Sequence, residues 1–325
     1  MPRLYRRVLL AGAALCLSVP VHAQSWPQRP VSIVVPQPAG NSPDVLCRVI
    51  ADKLSRSLGQ QFVVENKAGA ANLVGTQAVA RAAPDGYTFL FATSAALVMN
   101  PYTFKKLAYD PIKDFTPVAM VARSNHVVLV NPEVKAKTLV ELIALEKSAP
   151  GSLSMAVDGP RNLSGLIAQS INKQAGTGFV LVPYNTTTNA VQDSMTGRVQ
   201  VTIQAASIAE SFIAAGTLRP IAVAGSKRIG SLPDVPAISE TLKSVDLQGW
   251  FMLMAPAGTP ADIIEKLSAE IARALNSPEV QERAPALGFN VNVGDAVTPA
   301  GAKQFLDAEL AATGKVIQEI GIQPE

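Results

Sequence analysis

Cysteine and histidine are the scarcest reactive residues of this 325-residue chain, which has two of each. Cys16 and His22 fall in an N-terminal segment that we expect to be removed, so the mature chain keeps Cys47 and His126. One cysteine forms no internal disulfide, and one Cys with one His cannot build a zinc cluster. The acidic residues also lack the spacing of known metal-binding loops. We therefore expect no metal and no cofactor.

Motifs for catalysis and nucleotide binding are missing as well. The chain has no G-x-S-x-G, no Walker A and no G-x-G-x-x-G sequence. Cys47 follows an apolar pair on a predicted helix, where a buried, unreactive thiol is expected. His126 opens an apolar run, which favours a hydrogen-bonded histidine at the start of a strand over a catalytic one. We expect a protein that is not an enzyme, with a periplasmic enzyme as the rival hypothesis.

Long hydrophobic runs are restricted to the N-terminus. Three arginines precede the apolar residues 8–19, and Ala23 ends a small-residue cleavage sequence, as in a secretory signal peptide. Cys16 follows a leucine where a lipoprotein would have a small residue, so lipidation is disfavoured. Nothing later reaches the roughly 18 apolar residues of a membrane helix. The sequence predicts a signal peptide over residues 1–23, cleavage after Ala23 and a soluble periplasmic protein.

Excess charge of either sign is absent from the predicted mature chain. The full chain has 28 Lys+Arg and 25 Asp+Glu. Loss of the three leader arginines leaves 25 basic residues against the same 25 acidic residues, a net charge of zero. A neutral chain lacks the basic surface typical of nucleic-acid or anionic-membrane binding. We expect neither partner.

The first unit of the mature chain predicts a strand that leads through a short loop onto a helix. Residues 31–35 are almost all β-branched, as in a strand buried on both faces. Ser42 is a suitable N-cap, Pro43 suits the first helical position and Asp44 suits the positive end of the helix dipole. Gly59 ends the helix in the expected place. Free backbone N–H groups at such a helix start favour anion binding.

Similar units continue along the chain. Alternating strands and helices predict crossover connections and a mainly parallel sheet. Two strands over 118–121 and 127–130 lie so close together that the second is expected to join another sheet. About 300 mature residues exceed what one core usually supports, so two domains are expected.

Seven short segments together resemble the periplasmic solute receptors of tripartite tricarboxylate transporters, often called Bug receptors. Each segment alone is weak, but their order and spacing cover essentially the whole mature chain. They are residues 26–30 (WPQRP), 64–70 (VENKAGA), 83–88 (APDGYT), 109–115 (YDPIKDF), 182–184 (VPY), 232–236 (LPDVP) and 255–260 (APAGTP).

This resemblance implies an α/β, two-domain clamp of the type II-like periplasmic-binding-protein class, each domain a mainly parallel sheet flanked by helices. Domain 1 would comprise residues 24–122 plus 225–325, and domain 2 residues 123–224. A small organic carboxylate would bind in the cleft, and the domains would close over it by hinge motion. The implied partners are a large and a small membrane subunit, and we expect a monomer. A sensor receptor for a signalling partner is the alternative.

The resemblance also places ligand contacts on loops at one end of the sheets, where backbone N–H groups and hydroxyls would hold a carboxylate. Structural roles remain open for several of them: helix capping for Ser164, Thr186 and Thr187, packing for Tyr184, and the helix dipole for Asp44. The expected ligand-binding residues are Gln37, Ala39, Gly40, Asn41, Ser42, Asp44, Ala70, Asn72, Thr93, Ser94, Gly159, Arg161, Asn162, Ser164, Tyr184, Thr186, Thr187, Gln204 and Ser207.

Arg161 suggests the class of the ligand. It lies two residues before the helix predicted from residue 163, where the helix dipole disfavours a cation unless something negative is near. Asp158 is one candidate partner, and the ligand is the other. Gln204 also stands where the resembled receptors often have an acid, which reduces repulsion of an anion. These residues favour a dicarboxylate, aliphatic or aromatic, whose far carboxylate meets Arg161.

Overall fold

The computed structural model describes residues 26–243, 245, 247–286 and 288–324. The predicted signal peptide lies outside these residues. The strands are β1 Val31–Val35, β2 Phe62–Asn66, β3 Thr88–Thr93, β4 Phe115–Ser124, β5 His126–Val130, β6 Ser154–Val157, β7 Val180–Pro183, β8 Val201–Ala205, β9 Arg219–Val223, β10 Gly249–Pro256 and β11 Phe289–Val291.

Helices connect most of these strands. The α-helices are α1 Ser42–Leu58, α2 Leu73–Ala80, α3 Asn100–Thr103, α4 Leu139–Ser148, α5 Leu163–Ala175, α6 Thr187–Met195, α7 Ala206–Ala214, α8 Ala261–Leu275, α9 Pro278–Ala286 and α10 Pro299–Ile320. A π-helical turn, Ala95–Met99, precedes α3. No helix within the described ranges combines the length and apolar character needed to cross a membrane.

The strands form two sheets, as the α/β expectation requires. The six-stranded sheet has the order β11-β4-β10-β3-β1-β2, and the five-stranded sheet has the order β7-β6-β8-β5-β9. The expectation of mainly parallel sheets needs a correction. Strands β1, β2 and β3 pair in parallel, as do β6, β7 and β8, but β10, β4 and β11 pair antiparallel in one sheet, and β5 runs antiparallel to both its neighbours in the other.

The chain passes between the sheets at Asn125. Strand β4 lies in the six-stranded sheet and ends at Ser124, whereas β5 begins at His126 in the five-stranded sheet. The predicted change of sheet between these two strands is therefore confirmed. Because β4 and β5 extend from the crossover into opposite sheets, their ends lie between the two halves of the molecule.

Local chemistry explains how α1 begins and ends. Gly59 adopts the left-handed conformation, φ 69°, that glycine reaches without strain, and ends the helix as predicted. The N-cap is Asn41 and not Ser42, which is already the first helical residue. Ser42 Oγ instead lies 3.3 Å from Ser124 Oγ at the end of β4. The residue predicted to cap the helix therefore joins it to the crossover strand.

Apolar packing continues from one sheet to the other. One core cluster combines residues around the six-stranded sheet, such as Leu90 and Trp250, with residues around the five-stranded sheet, such as Val128 and Leu166. Trp250 is fully buried and donates from Nε1 to Glu309 at 3.0 Å. The adjacent Phe251 is 5 % exposed, so both aromatic residues belong to the core.

Candidate functional site

A small cavity of about 70 Å³ lies where the two sheets face each other. Because one water occupies roughly 10–15 Å³ by this measure, the cavity holds several waters or a small organic molecule. Eight of the nineteen residues expected to bind ligand line it: Gln37, Asn41, Ser42, Thr93, Ser94, Asn162, Thr187 and Gln204. Sequence reasoning did not include the other lining residues, which are Pro43, Ala95, Ser124, His126, Asp158, Leu163, Ile203, Ala205, Ile208, Gly249 and Phe251.

The starts of four α-helices meet at this cavity, α1 from the six-stranded half and α5, α6 and α7 from the five-stranded half. The first N–H groups of a helix lack partners within the helix and carry partial positive charge. Several of them aimed at one space favour an anion there. The contributing residues are Ser42 and Pro43 of α1, Asn162 and Leu163 at the start of α5, Thr187 of α6 and Ala205, the N-cap of α7.

Asp44 holds the loop that brings α1 to the cavity. Its buried carboxylate accepts hydrogen bonds from Gly40 N at 2.8 Å and Asn66 Nδ2 at 2.9 Å, and it pairs with Arg48 Nη2 at 2.8 Å. Asn66 also donates to the Gln37 carbonyl at 3.1 Å. Burial raises the pKa of Asp44, but the hydrogen bonds from Arg48, Gly40 and Asn66 outweigh it, and the pKa lies below its ordinary value.

Asp158 forms part of the opposite wall, between β6 and α5. Its carboxylate accepts a hydrogen bond from Ser164 Oγ, and Ser164 Oγ in turn accepts one from the Asp158 amide at 2.9 Å. Burial raises the pKa of Asp158 above its ordinary value, although the bonds with Ser164 act against it. Ser164 is therefore a side-chain partner of Asp158.

His126 lies in the same wall, at the first position of β5. Its Nδ1 is buried and makes no hydrogen bond. Burial lowers the pKa of His126 to about 4, against an opposing contribution from the Ser124 carbonyl. The imidazole is consequently neutral near pH 7 in the ligand-free protein. Among the described residues that line the cavity there is no lysine or arginine.

Contacts across the cavity bring the two halves together. Thr187 Oγ1 lies 3.4 Å from Asn41 Oδ1, joining the start of α6 to the start of α1. The guanidinium of Arg161 lies over the Phe104 ring, 5.3 Å from its centroid, outside the cavity lining. These contacts join the two halves beside the cavity. They place Arg161 at the rim.

The remaining expected site residues lie outside the cavity lining and take part in local structure. Gly40 and Gly159 have positive φ angles of 81° and 127°, as do the non-glycine residues Ala70 and Asn72 with 45° and 71°. Ala39 is an exposed residue of the first loop.

Side chains on the five-stranded half show similar structural roles. Thr186 caps α6 by accepting from Asn189 N at 3.3 Å. Tyr184 donates to Asp193 Oδ2 at 2.7 Å, and burial together with this bond raises the pKa of Tyr184 to about 12. Ser207 Oγ is buried without a hydrogen bond. These residues support the loops around the cavity without lining it.

Metal-binding and nucleophilic chemistry find no support in the described part of the chain. No group of three or more His, Cys, Asp or Glu side chains there is placed to hold a metal ion. Cys47 is fully buried, as predicted, and burial raises the pKa of its thiol. A thiol held in its neutral form is a poor nucleophile.

The residues that sequence reasoning missed are mostly on strands. Ser124 and His126 flank the crossover, and Gly249 and Phe251 lie on β10. The ligand contacts expected from the sequence lie on loops and helix starts, whereas these four residues reach the cavity from strands or their ends. The predicted change of sheet between β4 and β5 was the one available signal, because a crossover has to lie between the two halves.

Comparisons with known proteins agree with this architecture. Residues 46–322 match the family described as tripartite tricarboxylate transporter family receptor. A UPF0065 protein of Bordetella bronchiseptica is 38% identical over 281 residues, which span 86% of this chain and 83% of that protein. The protein BugT of Bordetella pertussis is 33% identical, over 99% of this chain and 98% of its own length.

Comparison with solved structures points to the same family. An R. palustris protein with adipate superposes with a TM-score of 0.87 at 30% identity, covering 93% of this chain and 100% of that one. The periplasmic binding protein BugD gives 0.85 at 28% identity, covering 92% and 100%. MatC from Rhodopseudomonas palustris with bound malate gives 0.81 at 30% identity, covering 90% and 100%. The extent of the family match and the identity to these relatives show that the chain belongs to the tripartite tricarboxylate transporter receptor family, whose members are solute-binding receptors.

Proposed function

We propose that this protein is a periplasmic receptor that captures a small carboxylate between its two halves and delivers it to a tripartite transporter. The observation that carries the proposal is the meeting of four helix starts at a cavity whose described lining residues include neither lysine nor arginine. Backbone N–H groups and the hydroxyls of Ser42, Thr93, Ser94 and Thr187 are the donors that a carboxylate needs. The site is thus built for an anion without a fixed counter-charge.

A dicarboxylate of short chain is the favoured ligand. Two family members that are 30% identical to this chain have adipate and malate bound. The cavity of about 70 Å³ has room for roughly five to seven non-hydrogen atoms before the halves move apart. Malonate fits within that room, whereas malate and adipate both exceed it, so we expect affinity to fall as the chain of the dicarboxylate lengthens.

Hinge motion between two domains is proposed to admit the ligand. The proposed domains are residues 24–122 plus 225–325 and residues 123–224, which assign the six-stranded and five-stranded sheets to different domains. Strand β4 continues to Ser124, so the pivot falls at Asn125, two residues beyond the boundary expected from sequence. The contacts of Thr187 with Asn41 and of Arg161 with Phe104 would break as the domains separate.

Location and partners complete the proposal. The basic, apolar N-terminus is proposed to export the chain to the periplasm and to be removed after Ala23. The mature monomer would dock with a large and a small membrane subunit, as the family description implies. We propose no catalytic step, since the described lining contains no nucleophile paired with a base.

Isothermal titration calorimetry with a panel of mono-, di- and tricarboxylates tests the carboxylate proposal. Thr187→Ala and Thr186→Ala form a matched pair of variants. Thr187 lines the cavity, so its loss should weaken binding, whereas loss of Thr186 removes a helix cap and should lower stability by about 1 kcal/mol with little effect on affinity. Absence of binding by every carboxylate, with the protein folded, would refute the proposal.

Closure of the two domains over the ligand and the absence of a chemical change in the ligand need separate measurements. Small-angle scattering should show a more compact particle with saturating ligand than without it. Mass spectrometry of the ligand after incubation should return the same mass. A changed ligand mass would favour the enzyme alternative.

A further inference from the structure

The described lining of the cavity has no permanent positive charge to balance a carboxylate. Its described lining residues include two titratable groups, His126 and Asp158, and no lysine or arginine. Asp158 can only be neutral or negative, so it opposes an anion whenever it is ionised. His126 is the one group in this lining that can acquire positive charge.

The position of His126 suits that role. It starts β5 beside the crossover, so its ring lies between the two halves of the protein. Nδ1 is buried and has no hydrogen-bond partner. Burial keeps the pKa of the imidazole at about 4, because the Ser124 carbonyl only partly compensates for a buried cation in the ligand-free state. An anion in the cavity would supply that compensation.

Other charged groups around β5 do not replace the ligand as the counter-charge of a protonated His126. Strand β8 carries no charged residue. On β9, Arg219 pairs in register with Val130, at the opposite end of β5 from His126. On α7 the charged residue is Glu210, which is outside the cavity lining and has a buried carboxylate oxygen without a hydrogen bond. Asp158 and Glu210 are therefore the acidic groups that an experiment has to control.

We propose that His126 takes up a proton from solvent when a carboxylate enters the cavity, and then serves as the cation of the binding site. This inference rests on the proposed carboxylate function. A unit charge about 4 Å away at an effective dielectric of about 20 raises the pKa of an imidazole by about three pH units, from about 4 to roughly 7. Binding and protonation would then reinforce each other near neutral pH.

Proton linkage gives this inference a measurable size. With a pKa of about 4 in the free protein and roughly 7 in the complex, the affinity rises by about tenfold between pH 8 and pH 6. Dianions raise the pKa of the imidazole more than monoanions do, so the dependence on pH should be steeper for a dicarboxylate than for a monocarboxylate of matched length.

Calorimetry of malate binding tests the proposal. Titrations at pH 8 and pH 6, each in two buffers of different ionisation enthalpy, give both the affinity and the number of protons taken up. The wild-type chain should gain about tenfold in affinity at pH 6 and take up a proton, whereas His126→Gln should show neither effect. Asp158→Asn and Glu210→Gln should both keep the dependence on pH, because His126 is intact in them.

An independent measurement covers the case in which His126→Gln does not fold. Of the two histidines of the full chain, only His126 remains after the proposed cleavage at Ala23, so its imidazole NMR signal can be followed directly. That signal should move from its neutral to its protonated position when malate is added at pH 6.5, and it should stay in place when buffer alone is added.

Each other outcome has a defined meaning. Malate binding without proton uptake, or uptake that persists in His126→Gln, would overturn the inference and leave the proposed function standing. Uptake that disappears in Asp158→Asn but not in His126→Gln would place the proton on Asp158 and would also overturn it. Failure of every carboxylate to bind at both pH values would refute the proposed function and this inference together.

Discussion

Asp44 offers the sharpest test of how the first loop is built. The residue is 3 % exposed, and its two carboxylate oxygens receive four hydrogen-bonding contacts, from Gly40 N, from Asn66 Nδ2 and from two nitrogens of Arg48, at 2.8 to 3.1 Å. Asp44→Asn keeps the shape of the side chain but turns one acceptor oxygen into a donor. Two of the four contacts are lost, whichever way the amide faces.

The loss of stability expected for Asp44→Asn follows from those contacts. A hydrogen bond to a charged group contributes about 1.5–3 kcal/mol. Loss of two such bonds, partly offset by rehydration of Arg48, whose side chain is 52% exposed, gives about 2–4 kcal/mol for Asp44→Asn. Arg48→Gln should cost only about 1 kcal/mol, because Asp44 keeps its bonds to Gly40 and Asn66 while the removed group is half in solvent.

Chemical unfolding followed by circular dichroism measures these differences. Asp52→Asn is the matched control, since Asp52 pairs with Arg56 on the same helix at 2.9 Å with both side chains exposed, and it should change stability by less than about 0.5 kcal/mol. The affinity of Asp44→Asn for malate should also fall, by roughly tenfold, because Asn41 and Ser42 line the cavity. Equal stability of Asp44→Asn and Asp52→Asn would refute this account of the loop.

Three further predictions concern other parts of the site. The stability of the ligand-free protein should fall as the pH drops from 6.5 towards 4, because the folded state keeps His126 neutral while the unfolded chain protonates it. In unfolding experiments, His126→Gln should remove about 1–3 kcal/mol of that loss. A Cβ at Gly165 would lie 2.2 Å from a backbone oxygen of the preceding loop, so Gly165→Ala should destabilise the folded protein by about 1–3 kcal/mol in thermal unfolding. The control Gly230→Ala, which has open space around it, should leave the stability unchanged. Arg161→Ala should weaken malate and a matched monocarboxylate equally in calorimetry, because Arg161 packs on Phe104 at the rim; a loss confined to malate would support the far-carboxylate hypothesis instead.

Much of the fold could be predicted because local signals and burial agreed. The β-branched run of β1 and the left-handed Gly59 define the first unit without reference to the rest of the chain. Helix α9 was not predicted, since Pro285 lies inside it and its apolar residues have no clear helical period. The antiparallel pairing of β10 could not be predicted either. Period-two patterns mark a strand, but they do not say which neighbour it pairs with or in which direction.

The candidate site was predictable where a loop precedes a helix and not where a strand supplies the wall. Ser94 and Asn162 were expected because the family resemblance places ligand contacts on their loops, and both line the cavity. His126 looked like a satisfied strand histidine, and only the meeting of the two sheets shows that its ring borders a cavity. Arg161 is the opposite case. Its charge suggested a ligand contact in the sequence, but its contact with Phe104 depends on how the two halves pack.

The single-residue crossover at Asn125 bears on the order in which a ligand would be held. Atoms next to a rotation axis move little when two rigid bodies turn, whereas atoms far from it sweep a long arc. Ser124 and His126 flank Asn125 and also line the cavity. In the proposed hinge motion, they form a floor that stays nearly fixed, while the contact between Thr187 and Asn41 breaks as the halves separate. An arriving anion would meet this floor first, and the contact between Thr187 and Asn41 would form after it.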